Sequence, residues 1–240
     1  MVRCQCFYML GEISMNVLFD LDDTLLDFQA AQEYALSKLF TQHDIPLTAE
    51  IKQRYKEINR NLWSAYEEGE VAKSFVLTAR FEHLFEELGL HFRGEELEPL
   101  YRKFLQEKTI FISGAERVVD TLKQSCRLSI ATNGVAATQQ ARLKLSGLME
   151  KMDDIFISET IGAQKPSAGF FSYVLERLPE QETVIIGDSL TADIAGGNKA
   201  GLKTIWFNPE GKQRDTGITP DMEVRKLTEI PSLLERKEKV

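Results

Sequence analysis

Apolar positions change their spacing twice along the chain. The run NVLFD, residues 16–20, is short, apolar and closes on an aspartate, as expected of a strand buried in a parallel sheet. From Asp27 the spacing becomes helical. DFQAAQEYALSKLFTQ, residues 27–42, places Phe28, Ala31, Ala35, Leu36 and Leu39 on one face. TAEIKQRYKEINRNLWSAYEEG predicts a second helix that Gly69 stops. KSFVLTARFEHLFEELG spaces Phe75, Leu77, Phe81, Leu84, Phe85 and Leu88 helically up to Gly89, with Phe75, Phe81 and Phe85 expected as one core stripe. A weaker helical pattern covers 94–107, and no strand pattern interrupts 27–108.

After Ser113 the pattern changes again. Ser113 and Glu116 are spaced as a capping box that would open a helix to about Ser125. Strands and helices then alternate: RLSIAT, a helix over 136–146 ending at Gly147, DIFIS, a helix from Ser167 to Leu178, TVIIGD, a helix over 191–200 ending at Gly201, and TIWFN. Such alternation implies parallel βαβ units, hence an α/β fold with a doubly wound, Rossmann-like parallel sheet. One strand cannot bury its own faces, so NVLFD must join this later sheet. The expected organisation is an α/β core from 15–26 and 109–240, with an inserted all-α cap over 27–108. Residues 1–14 match no periodic template and are expected to be an extension dispensable for folding.

Composition narrows the function classes. The chain has 240 residues, 43% hydrophobic and 28% charged, enough apolar material for a sizeable core. Its 29 Lys and Arg against 37 Asp and Glu give a net charge of −8, which argues against nucleic-acid polymers and anionic membranes as partners. No apolar run has membrane-spanning length, and the N-terminal segment is too interrupted for a secretory signal. Cys4, Cys6 and Cys126 lack metal-type spacing and read as reduced thiols, so a cytoplasmic protein is expected, a monomer or weak homodimer.

In doubly wound sheets, ligands sit outside the carboxyl ends of the strands. Those ends carry Asp20-Leu-Asp22-Asp23-Thr24, then Thr132-Asn133-Gly134, then Gln164-Lys165-Pro166, then Gly187-Asp188-Ser189 with Asp193 beyond. Singly, each has a plain structural reading: an aspartate that caps a turn or helix, a Thr-Asn-Gly turn, a solvated lysine. Together they place complementary groups on one rim. Asp20, Asp22 and Asp188 would repel one another, and a divalent cation with Lys165 is the natural compensation. An EF-hand fails, because Leu25 and Ala31 stand where its glycine and glutamate belong. Neither a P-loop nor a dinucleotide fingerprint is present.

The segments FDLDDTL, ATNG, QKP and IGDSLTAD resemble the four ordered motifs of the haloacid dehalogenase superfamily of phosphatases. The helical block resembles that superfamily's small cap. INRNLWSAYEEGEV, followed by ARFEHLFEELG, is similar to the cap of its house-cleaning nucleotidases, which dephosphorylate pyrimidine and related nucleoside monophosphates; TIWFN resembles the same branch.

The resemblance implies a role for each matching residue. Asp20 is then the nucleophile that forms an aspartyl-phosphate, and Asp22 the acid and base that serves leaving group and water. Thr132, with the backbone amides of Asn133 and Gly134, holds phosphoryl oxygens, and Lys165 stabilises developing charge. Mg²⁺ is bound by Asp20, Asp188 and the main-chain carbonyl of Asp22, with Asp193 orienting a water behind them. Asp22 disfavours dehalogenase chemistry, and Asp23 disfavours phosphoglucomutase chemistry. Asp23 itself is expected to have no catalytic role.

The cap should exclude water and contact the leaving group. Phe28, Trp63 and Tyr66 are the candidates to stack on a base, or else they pack the helices. Arg60 and Arg80 either meet polar groups of the substrate or lie on the surface. His43, His83 and His91 are expected as exposed residues without ligand roles. The expected substrate is a small phosphorylated metabolite, foremost a nucleoside monophosphate; the alternatives are a sugar phosphate or phosphoglycolate, or a phospho-aspartate regulatory module. The regulatory reading is disfavoured by the cap and by Asp22, which gives the phosphorylated aspartate a hydrolytic base.

Overall fold

The computed structural model describes residues 15–213 and 217–235. The expected extension over 1–14, with Cys4 and Cys6, lies outside the described residues. The apolar run of the first strand, β1 (Met15–Phe19), is buried at every position. It pairs in parallel with β2 (Cys126–Thr132) on one side and β4 (Thr183–Gly187) on the other. The complete sheet has the order β3-β2-β1-β4-β5-β6, with β3 at Asp154–Ile157, β5 at Lys203–Phe207 and β6 at Met222–Val224. Every pairing is parallel. The chain winds from β1 through β2 to β3, then crosses to β4. The order therefore reverses beside β1, where a ligand crevice opens past the strand ends.

Between β1 and β2 lie α1 (Phe28–Gln42), α2 (Ala49–Glu67), α3 (Lys73–Glu87) and α4 (Gly94–Leu105). They bury their own apolar cluster, including Leu36, Phe40, Tyr55, Phe81, Phe85, Leu97 and Tyr101. The sheet carries α5 (Ala115–Leu122), α6 (Ala136–Ser146), α7 (Ser158–Ile161), α8 (Ala168–Leu175), a wide π-helical turn at Leu190–Ala195, α9 (Gly196–Lys199) and α10 (Ile230–Glu235). Two clusters line the two faces of the sheet. Val17 and Phe19 project into one and Leu18 into the other, as the period of two requires. Each such fully buried side chain is worth about 1.5–3 kcal/mol relative to exposure.

Several expectations are corrected. Ser113 does not cap α5. Ala115 N–H closes a tight turn on Ile112 O (2.9 Å), which puts Gly114 at the cap with φ +86 and no side-chain cap. Phe75 is 47% exposed, whereas Phe81 and Phe85 are fully buried. At 3.6 residues per turn, Phe75 lies about a third of a turn round α3 from Phe81, and its ring meets His83 instead. The segment 191–200 is not one α-helix but a π-turn followed by the short α9. The helix expected over 167–178 keeps its Ser167 cap but has regular α geometry only to Leu175. Strand β6 was not anticipated, since Met-Glu-Val is too short to show a period. His43 is half-buried against Phe92, at the end of α1. Arg80 is neither surface nor substrate-facing: it is 2% exposed inside the helical insertion and ion-paired with Glu98.

Candidate active site

The parallel ladder sets the rim of the crevice. Asp20 N–H donates to Ile186 O (2.9 Å), so the first acid leaves β1 in register with the end of β4. The chain then turns sharply through Asp23, at φ +58. The Asp23 carboxylate accepts from the Phe28 and Gln29 N–H groups (2.9 and 3.2 Å) and so helps open α1. Asp23 is committed to the helix entry, while Asp22 faces α6.

Lys165 gathers the acids. It is 1% exposed, and its Nζ donates to Asp20 Oδ1 (2.6 Å), Asp193 Oδ1 (2.6 Å) and Ala131 O (2.7 Å). An ammonium has three hydrogens, and all are used. Its backbone is clamped by Asn133, whose side chain donates to Lys165 O and accepts from Lys165 N–H, each at 2.9 Å. The strand end after β2 is thus tied to the lysine without a direct ladder. Asp193 reaches the cluster because the π-turn is wide, a feature frequent at functional sites. Its Oδ2 accepts from Ser189 N–H (3.2 Å) and packs on Gly187, where a Cβ would lie 2.1 Å from it.

Burial dominates the electrostatics. It pushes the Asp20 carboxyl up to about 8, Lys165 pulling it down and Asp193 and Asp22 adding to the rise. Asp188 is raised by burial and then by the Asp20 and Asp193 charges. Burial alone would lower Lys165, but Asp193 and Asp20 outweigh it and hold the ammonium charged. Carboxylate oxygens of Asp20, Asp188 and Asp193 lie within 4.8 Å of one another. One lysine cannot neutralise three carboxylates. The all-oxygen donor set and the surplus negative charge fit a small divalent cation such as Mg²⁺.

Other neighbours of the motif residues were not anticipated from the sequence. Trp206 of β5, 2% exposed, donates its indole N–H to Asp188 O (2.9 Å) and so fixes that strand end. Gln139 and Arg142 of α6 hold Asp22. Lys73, at the start of α3, crosses to Gly134 O (3.1 Å) and Ser158 Oγ (3.0 Å), with the Tyr66 ring 5.4 Å beneath it. Burial lowers Lys73 to about 8. Glu67, at the end of α2, accepts from Thr191 Oγ1 (3.1 Å) and is raised to about 7, by burial and then by Asp193.

Of the expected stacking residues, Tyr66 lines a cavity of about 310 Å³ with Lys73, Leu77, Ser158 and Gln164, between the helical insertion and the sheet. Trp63 packs edge-on against Tyr66 (5.6 Å). Phe28 packs separately, against the helical core and the Arg142 guanidinium (5.4 Å). Arg60 is exposed.

A family model for haloacid dehalogenase-like hydrolases matches residues 15–201. The chain belongs to this hydrolase family. It is 48% identical over 222 residues to the HAD-hydrolase YfnB of Bacillus subtilis, covering 91% of this chain and 94% of the relative. A crystal structure of YfnB bound to magnesium superposes with a TM-score of 0.88 at 47% identity, covering 93% of this chain and 99% of that one. The pyrimidine 5'-nucleotidase PynA of Streptococcus pneumoniae is 37% identical, with 92% of this chain and 94% of the relative covered. The pyrimidine 5'-nucleotidase YjjG of Escherichia coli is 32% identical, with 91% and 96% covered. Among the described residues of this hydrolase, no helix is long and apolar enough to cross a membrane.

Proposed function

We propose that this hydrolase is a Mg²⁺-dependent phosphomonoesterase acting through an aspartyl-phosphate, with nucleoside monophosphates as its substrate class. The observation that carries the reading is the division of labour between the two acids. Asp20 is bonded to Lys165, whereas Asp22, two residues on, is held apart by α6. Two carboxyls in different environments are what a nucleophile and a separate acid–base require. Similarity to PynA and YjjG supports the nucleotide class.

In the first half-reaction an Asp20 carboxylate oxygen attacks phosphorus, and the ester P–O bond breaks. The leaving oxygen takes the proton of Asp22. In the second, water attacks phosphorus and gives its proton to Asp22. The Asp20–phosphorus bond breaks, and inorganic phosphate and the free carboxylate remain. Thr132 and the Asn133 and Gly134 amides hold the non-bridging oxygens, and Lys165 faces the charge that builds on them. Asp20, Asp188 and the Asp22 carbonyl would hold Mg²⁺, with Asp193 behind them. The ion supplies positive charge that offsets the phosphoryl oxygens as the nucleophile approaches. The helical insertion over 27–108 acts as a cap, and the contacts of Lys73, Glu67 and Tyr66 with the segments beyond the strand ends are its closing seam.

The test is phosphate release from nucleoside monophosphates, phosphosugars and phosphoglycolate, with Mg²⁺ and with chelator. Metal-dependent preference for nucleotides is expected, and Asp20→Asn should abolish it in a folded protein. Preference for a phosphosugar overturns the substrate class. Activity retained in Asp20→Asn removes Asp20 as nucleophile.

A further inference from the structure

α6 buries two polar side chains that the mechanism above leaves without a task. Gln139 is 1% exposed and Arg142 is 0% exposed. The Gln139 amide donates to Asp22 Oδ2 (2.7 Å) and to Thr132 Oγ1 (2.8 Å). Both its hydrogens are therefore committed, one to the proton-transfer residue and one to the phosphate-holding hydroxyl. Its Oε1 accepts from Arg142 Nη1 (3.1 Å), which fixes the direction the amide faces. Arg142 Nη1 also donates to the other carboxylate oxygen of Asp22. Gly134 makes room for the amide: a Cβ there would lie 2.4 Å from Gln139 Nε2, so any other residue at 134 would displace the Gln139 side chain.

Packing does not account for this arrangement. Arg142 Nε and Nη2 are buried without hydrogen-bond partners. Burying a guanidinium with unmet nitrogens is unfavourable, and an apolar residue would serve a purely structural helix better.

We propose that Gln139 and Arg142 are positioning residues that hold the Asp22 carboxylate for proton transfer and keep it in register with Thr132. The proposal rests on the phosphatase reading. Gln139 and Arg142 grip Asp22 as an acceptor at both oxygens, which is the form that takes the proton from water in the second half-reaction. Loosening them slows hydrolysis of the aspartyl-phosphate more than its formation from an ester whose leaving group needs little protonation.

The experiment is rapid-mixing kinetics with 4-nitrophenyl phosphate on the full chain with Mg²⁺, comparing wild type, Gln139→Met and Arg142→Lys. In Gln139→Met the burst of 4-nitrophenol should keep its amplitude and a rate constant within about threefold of wild type, while the linear phase falls about tenfold or more, within the range of acid–base contributions. Arg142→Lys keeps the charge but loses the planar nitrogen that spans Asp22 and Gln139, and it should show the same split. It decides the matter if Gln139→Met does not fold. A structural role moves both phases together through the fraction of active protein, and that result overturns the proposal, as does an unchanged linear phase. A wild type that releases no phosphate from any monoester overturns the phosphatase reading and this proposal with it.

Discussion

Arg80 offers a sharp test, because the structure assigns it to stability where the sequence pointed to substrate or surface. Its Nη1 donates to Asn59 Oδ1 (3.1 Å), and its Nη2 pairs with Glu98. Asn59 in turn donates to Gln32 Oε1 (3.3 Å). A polar thread thus runs through α1, α2, α3 and α4, one residue from each helix. The guanidinium lies 5.0 Å from the Phe81 ring and 4.8 Å from the Tyr101 ring. Arg80→Ala leaves Glu98, 4% exposed, with only the partly exposed Arg102 at 3.3 Å. Removing one partner of a buried pair costs about 3–5 kcal/mol. At roughly 2–4 °C per kcal/mol for a chain of this size, the midpoint should fall by about 6–20 °C. Burial already raises the Glu98 carboxyl against the pull of Arg80. Without Arg80 the folded state favours the protonated acid further. The deficit should therefore be greatest near pH 8 and shrink as the pH falls toward the ordinary glutamate range. Replacing both partners with apolar residues, Arg80→Met with Glu98→Leu, should recover most of the loss. The assay is thermal melting by circular dichroism across pH, paired with KM for the preferred phosphate ester. A midpoint within about 2 °C of wild type, together with a KM raised about tenfold, refutes the reasoning and returns Arg80 to the substrate.

Trp63→Ala should weaken selection among nucleoside monophosphates more than turnover of 4-nitrophenyl phosphate, measured as kcat/KM. Equal loss on both means that Trp63 only braces Tyr66. Gly94→Ala should destabilise the helical insertion, because a Cβ there would lie 2.3 Å from the Thr78 carbonyl oxygen where α4 meets α3. Overpacking of this kind costs about 1–3 kcal/mol, and an unchanged urea midpoint would count against that close approach.

The rim of the site was legible because it is local. Each motif residue sits within a few positions of a strand end, and a buried parallel strand announces itself as an apolar run. Once β1, β2 and β4 are recognised, the sheet places Asp20, Thr132 and Asp188 on one edge without further information. The contact of Lys165 with Asp20 is of another kind, since the two are 145 residues apart. The strand-end placement and the surplus of acids pointed to Lys165 as their compensation, and the resemblance added its role. Elements whose stability comes from distant partners were not legible. β6 has three residues and is a strand because β5 pairs with it. The π-turn at Leu190–Ala195 looks helical in sequence, and its extra width shows only in the way Asp193 folds back on Gly187.

The residues that escaped the sequence reading share a physical cause. Helical periodicity treats polar positions as the solvent face, so it gives no reason to turn Gln139, Arg142 or Arg80 inward. In α6 the inward face is Thr138, Gln139, Arg142 and Leu143, a stripe that is mostly polar. Its neighbours are carboxylate and hydroxyl groups at the strand ends, so an apolar stripe would take the α6 donors from Asp22 and leave Thr132 Oγ1 with the Gly134 N–H alone. The same logic holds inside the insertion, where Arg80 bonds both Asn59 and Glu98 across three helices. A usable signal was present: Gln139 and Arg142 are spaced i and i+3 on the side of Leu143, in the helix that begins just after Thr132-Asn133-Gly134. Buried polar residues on a helix that follows a strand-end motif are candidates to bond that motif, as Gln139 and Arg142 do.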